Sequence, residues 1–183
     1  MADGTLKVGT IITSSGSGTI TLGQSNETVA LGSGATASGF GGGKVLQIVQ
    51  AQTNTAKSMG GQSYVDTNLT GAITPSASNS KVLVLINQAG NVNITSNAGQ
   101  KFAMFNLVRG STEVTAISQR CATSSGSAED FPMFNGIVYL DSPSTTNATT
   151  YKTQMKITAA GSMDILVQQN SGYSTITLIE IGA

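Results

Sequence analysis

Histidine and tryptophan are absent from the 183 residues, cysteine occurs once (Cys121), proline three times, and aromatic residues make up 5% of the chain. Without an imidazole, the commonest catalytic triads and zinc sites are excluded. A lone cysteine forms neither an intrachain disulfide nor a thiolate metal cluster, which excludes a disulfide scaffold. Charge is scarce too: nine basic residues balance nine acidic ones, only 10% of the chain together. Nucleic acid is therefore not an expected partner, because its recognition needs a clustered basic surface. Long apolar runs are missing, the longest being the five residues 82–86, and residues 1–10 lack the basic and apolar regions of a signal peptide. Neither membrane insertion nor export by such a leader is expected.

What the chain does have is Gly 22, Ser 22, Thr 24 and Asn 12, or 80 of its residues, with 39% hydrophobic content. That hydrophobic share is too high for disorder by composition. The length suits one ordinary domain plus an appendage. Eleven of the 22 glycines fall in residues 1–43, together with three charges (Asp3, Lys7, Glu27). Within that part a nine-residue repeat aligns Thr10-Ile11-Ile12-Thr13, Thr19-Ile20-Thr21-Leu22 and Thr28-Val29-Ala30-Leu31, separated by Gly/Ser-rich turn chemistry. Each such strand offers about two apolar side chains to one face, too few to close alone, so it needs copies of itself, most simply from identical chains. The expected organisation is a repeat β stalk or particle anchor over 1–38, a Gly linker over 39–43, and a domain over 44–183.

From Lys44 onward no helical period appears. Strands are predicted at about 45–49, 64–73, 81–86, 101–109, 113–118, 133–140, 151–157, 163–168 and 173–181, with Gly110-Ser111-Thr112 as a hairpin turn. Residues 82–86, apolar at every position, are expected to be a central strand covered on both faces. Residues 174–181 are expected to pin the chain's end inside a sheet. The fold class is all-β, with the stalk followed by a jelly-roll-like antiparallel β-sandwich.

Motifs that suggest chemistry give little. Gly32-Ser33-Gly34-Ala35-Thr36-Ala37 matches a dinucleotide fingerprint, but Ser38-Gly39-Phe40-Gly41 cannot open the helix whose amides would hold a pyrophosphate. Gly43-Lys44 fails as a P-loop, with Val45 where a magnesium-binding Ser or Thr belongs. Glu129-Asp130, the one adjacent carboxylate pair, is expected in an exposed loop over 124–132, and a cation there would need more oxygens from elsewhere. Asp66, Asp141 and Glu180 are scattered single carboxylates, a poor basis for the paired acids of glycoside hydrolysis. Arg109 and Arg120 are expected to be solubilising residues, with contact to an anionic ligand as the sharper reading. Phe102, Met104, Phe105, Phe131, Met133 and Phe134 read as core or subunit interface, with an exposed ligand patch as the sharper reading. Sequons at Asn26, Asn68, Asn93 and Asn147 are no more than this composition produces by chance. No catalytic, cofactor-binding or metal-binding residues are assigned, no cofactor is expected, and the chain is expected not to be an enzyme.

Several segments nevertheless resemble a known class. The stretch from Gly4 to Ser25, Tyr64-Val65-Asp66-Thr67, the hairpin Leu107-Val108-Arg109-Gly110-Ser111-Thr112-Glu113 and the terminal residues 174–181 are similar to tail-fibre-like virion structural proteins of bacteriophages, particularly marine phages. The resemblance implies a homotrimeric, all-β component of the virion surface, assembled in the host cytoplasm, with an N-terminal stalk and a jelly-roll head. It carries no fixed site motif. Two placements remain open: a tail fibre whose head contacts a host-surface glycan or protein, and a capsid decoration (cement) protein clamping coat subunits. A carbohydrate-binding or depolymerising protein is a lesser alternative.

Overall fold

The computed structural model describes residues 44–95, 101–121, 129–158 and 163–182, and of Arg120, Glu129, Phe131 and Phe134 the backbone alone. The stalk over 1–38, with its repeat and its dinucleotide-like pattern, and the linker over 39–43 lie outside the described residues. The described residues form ten strands: β1 (Val45–Thr53), β2 (Lys57–Met59), β3 (Val65–Ile73), β4 (Lys81–Ile94), β5 (Lys101–Arg109), β6 (Thr112–Cys121), β7 (Glu129–Asp141), β8 (Thr149–Ile157), β9 (Met163–Val167) and β10 (Ser174–Ile181). A short 3-10 turn (Gln169–Ser171) links the last two.

Strict alternation makes these strands. In β10, Ser174, Ile176, Leu178 and Glu180 are buried while the residues between them are half-exposed, and β3 and β8 follow the same rule. One sheet runs β3-β8-β5-β6. The other is built around β4, which pairs with β7 along its whole length on one edge. Its second edge pairs with β10 over residues 81–87 and with β9 over 90–94. β1 continues the sheet beyond β10, and β2 beyond β9. All pairings are antiparallel, and the two sheets face each other as a sandwich. The β5–β6 hairpin turns on Gly110 at φ 59°, the positive value that the first position of a two-residue II′ turn requires.

The core lies between the sheets in two clusters. One gathers Val92, Ile94, Phe105, Met133, Met155 and Ile165; the other gathers Leu69, Ile73, Val84, Leu107, Tyr151 and Leu178. Each large aliphatic side chain so buried contributes about 1.5–3 kcal/mol. Phe105 and Met133 are thus core, as their composition suggests.

Two expectations need correction. Residues 129–132 are not loop but the start of β7, because residues 91–94 of β4 offer them a complete antiparallel ladder. Residues 82–86 are central in their sheet, yet among the described residues a second sheet covers one face only. Val82, Val84 and Ile86 are buried against the second sheet, whereas Leu83 and Leu85 are half-exposed on the outer face.

Candidate functional site

Asp66, Asp141 and Glu180, the single carboxylates noted in the sequence, are each engaged by partners from other segments. Asp66 accepts from Lys152 Nζ (2.9 Å) and Gln154 Nε2 (2.8 Å) on the neighbouring strand. Burial pushes its carboxyl up, and those hydrogen bonds outweigh it, leaving it below its ordinary range. Asp141 is buried and accepts from Arg109 Nη1 (2.7 and 2.8 Å) and from Tyr151 Oη (2.6 Å). Burial, then the bond to Asp141, pushes the Tyr151 hydroxyl far up. Arg109 is therefore an ion-pair partner, not a free anion contact. Glu180 points inward at the end of β10 and accepts from Ser76 N (2.7 Å), Ser76 Oγ (2.6 Å) and Gln47 Nε2, fastening the loop before β4. Burial pushes Glu180 up, but the bonds from Gln47 and Ser76 prevail and hold its carboxyl down at about 2. Cys121 is buried at the end of β6, its thiol pushed up by burial. Among the described residues, no three Cys, Asp or Glu side chains gather to hold a metal ion.

A polar belt separates the two apolar clusters. Gln88 of β4 reaches across the sandwich, and its Oε1 lies 2.9 Å from Thr153 Oγ1 and 3.3 Å from Thr67 Oγ1; the two hydroxyls also bond each other, so one donates to its neighbour and the other to Gln88. Gln88 Nε2 donates to Ser174 Oγ (2.8 Å) and to Gln168 Oε1 (2.6 Å). With its amide so oriented, Gln168 Nε2 donates to Thr55 O and Thr67 O (3.2 Å each). Every member is almost wholly buried. A connected network of this kind fixes the relative register of the sheets, since breaking one member strands the others in a low dielectric.

The belt holds the β9–β10 turn. Where β4 changes partner from β10 to β9, Ala89 N donates to Ser174 Oγ (3.0 Å), and Ala89 O accepts from Gln168 N (3.1 Å). The connection across this gap carries Gln168, Asn170 and Ser171 at φ 53°, 53° and 62°. Beside it lies a half-open cavity of about 430 Å³, lined by residues 89–91 of β4, Asp130 and Pro132 of β7, and Gln169, Asn170 and Gly172 of the turn.

The outer face of the β4 sheet is the second feature. Ile48, Ile179, Leu83 and Leu140 stand in direct register across β1, β10, β4 and β7. In the adjoining row Leu85 pairs with Val138. The apolar side chains become more exposed toward both edges: Val45 58% and Ile48 63% on β1, Val138 74% and Leu140 55% on β7. Both strands are edges, each paired on one side only among the described residues.

Of the residues singled out in the sequence, Asp130 lines the cavity, on a strand instead of the expected loop; nothing in the sequence places it at a cavity. The Arg109–Asp141–Tyr151 cluster, the belt and the turn went unread. The run Gln168-Gln169-Asn170-Ser171-Gly172 is the one local signal for the last. The side chains of Arg120, Glu129, Phe131 and Phe134 lie outside the described residues, as do residues 124–128 of the loop expected over 124–132.

No protein-family model matches the sequence, and no curated protein is similar to it. Among solved structures, the chain is similar to the infectious bursal disease virus VP2 subviral particle, at 16% identity and TM-score 0.36, covering 85% of this chain and 37% of that one. It is also similar to infectious bursal disease virus Gx strain, at 14% identity and TM-score 0.33, covering 86% and 42%. A third likeness is to dimeric latent PorU from Porphyromonas gingivalis, at 9% identity and TM-score 0.32, covering 81% and 14%. The chain spans less than half the length of each, and at these TM-scores the likenesses assign neither a family nor an activity.

Proposed function

We propose that this chain is a non-enzymatic virion surface structural protein that assembles as a homotrimer and presents its β-sandwich as an exposed head. The observation that carries the reading is the uncharged row Ile48–Ile179–Leu83–Leu140, open to solvent at both ends. Monomeric soluble proteins seldom leave contiguous apolar surface of that kind uncovered. The occupant is a second copy of this chain, because the two exposed lobes are different and lie at opposite edges of one sheet. Pairing the β1 lobe of one copy with the β7 lobe of the next is a heterologous contact, which closes into a ring when the rotation allows. The nine-residue repeat in the sequence over 10–31, each unit with about two apolar side chains, supports assembly with further copies.

The jelly-roll reading is supported by the order β1-β10-β4-β7 facing β3-β8-β5-β6, with the chain passing repeatedly between sheets. The bacteriophage class comes from the resemblance of the sequence alone. Within it, contact with the host surface at a tail is the first reading. Capsid decoration, in which the same assembly clamps coat subunits, is the second. Electron microscopy of the particle tests both: three-lobed density at the tail supports the first, the same density between coat subunits the second. Its absence from purified virions would overturn the proposal.

A further inference from the structure

The β9–β10 turn is built against its own backbone preferences. Left-handed non-glycine residues each cost about 1–3 kcal/mol, and here Gln168, Asn170 and Ser171 adopt that conformation within four positions. Glycine would fill those positions without strain. What the sequence gains instead is side chains. The amide of Gln168 locks the turn into the buried belt, and Asn170 lines the cavity. The turn is tied to β4 from both ends through Ala89, so the cavity wall is rigid before any ligand arrives.

The lining sets the ligand chemistry. Asn91, Gln169 and Asn170 each carry a donor and an acceptor, and Asp130 adds an acceptor. Among the described residues no Lys or Arg lines the cavity, so a phosphate, sulfate or carboxylate would face Asp130 without a counter-charge from them. A hard cation asks for six to eight oxygens in one tight shell, yet the space of about 430 Å³ is more than ten times a water's share of about 30 Å³. That volume lies in the range of small-molecule sites. Hydroxyl groups both donate and accept, matching amides one for one, while Pro132 and Ala89 offer apolar surface to a ring's C–H face.

We propose that this cavity binds a neutral saccharide unit, with Asn91, Gln169, Asn170 and Asp130 reading its hydroxyls. The proposal names the ligand class of the exposed head and rests on the surface-contact reading in that respect.

Saturation-transfer NMR on the full chain tests it, in calcium-free buffer, with the methyl glycosides of glucose, galactose, mannose and N-acetylglucosamine, and with lactose and cellobiose, as probes at millimolar concentration. At least one is expected to receive saturation. Asn91→Ala and Asn170→Gly should each weaken that binding about fivefold to tenfold, the worth of one or two hydrogen bonds. Asn170→Gly keeps the left-handed backbone while removing the amide, so its melting temperature should match or exceed that of the parent. No transfer to any probe, or transfer unchanged in both variants, would overturn the proposal. So would a rise in melting temperature with calcium chloride that Asp130→Asn abolishes, since the cavity would then be a cation site. A trimer that binds none of the saccharides refutes the cavity alone, and a monomer that binds one refutes assembly alone.

Discussion

Replacing Gln88 by Met tests whether the belt, and not apolar packing alone, holds the sandwich in register. The two side chains are similar in length and volume, so the substitution leaves little cavity. It removes the acceptor shared by Thr67 and Thr153 and the donor serving Ser174 and Gln168. Thr67 and Thr153 still bond each other, but one of their two hydroxyl protons then has no acceptor. A buried polar group left unpaired costs about 1–3 kcal/mol, and the lost bonds to Ser174 and Gln168 add about 1 kcal/mol each at most. The expected loss is about 3 kcal/mol, a large part of the ~5–15 kcal/mol typical of a domain. Guanidinium unfolding followed by far-ultraviolet circular dichroism, at fixed protein concentration, should show the midpoint falling with an unchanged slope. The triple variant Gln88→Met, Thr67→Val, Thr153→Val should be more stable than the sum of the singles, because removing both hydroxyls with their shared acceptor leaves neither hydroxyl orphaned, although Leu69 N loses Thr67 Oγ1. A single-variant loss below about 0.5 kcal/mol, or strict additivity in the triple, would refute the reasoning.

Three further outcomes follow from individual contacts. Glu180 is held at about 2 when folded against an ordinary 4.5, so its contribution is complete above pH 4.5 and lost as pH falls from there toward 2. Thermal melts across that window should show a decline that Glu180→Gln flattens; equal slopes would contradict the assignment. Arg109→Ala leaves the buried Asp141 with Tyr151 alone and should cost about 2–3 kcal/mol by chemical denaturation, whereas a neutral result would make Arg109 merely solubilising. In Gly90→Ala the new Cβ would sit 2.6 Å from Leu166 O on β9, so β9 must shift; a loss of about 2 kcal/mol is expected, and a stability equal to the parent's would show that β9 yields freely.

Much of this fold is legible residue by residue. Thr/Ile/Leu alternation in residues 174–181 and Tyr/Lys/Thr/Gln/Met alternation in 151–157 place β10 and β8 almost to the residue. The second half of β4 was hidden because its inward positions include Gln88 and Gly90 and its outward ones Asn91 and Asn93, so the apolar signal of alternation is erased. Those inward polar groups make sense only once Thr67, Thr153, Ser174 and Gln168 surround Gln88. Partners separated by 21 to 86 residues leave no local trace. β2, three residues long, is created by the edge of β9. The cavity arises where three distant segments meet, so composition gave only its turn residues. The apolar run 82–86 carries apolar residues on both faces, and a sequence cannot tell the face packed on a second sheet from the one left half-exposed.

Light scattering on the full-length protein, beside Ile48→Asp and Val138→Asp, puts the central claim to its most direct test. The account predicts a parent mass of about three times 18.6 kDa at micromolar concentration. Either charge, placed on an exposed lobe at one edge of the β4 sheet, should shift the protein toward monomer, with its β-rich circular dichroism retained. A parent that is a clean monomer, or a trimer that both charged variants leave intact, would contradict it.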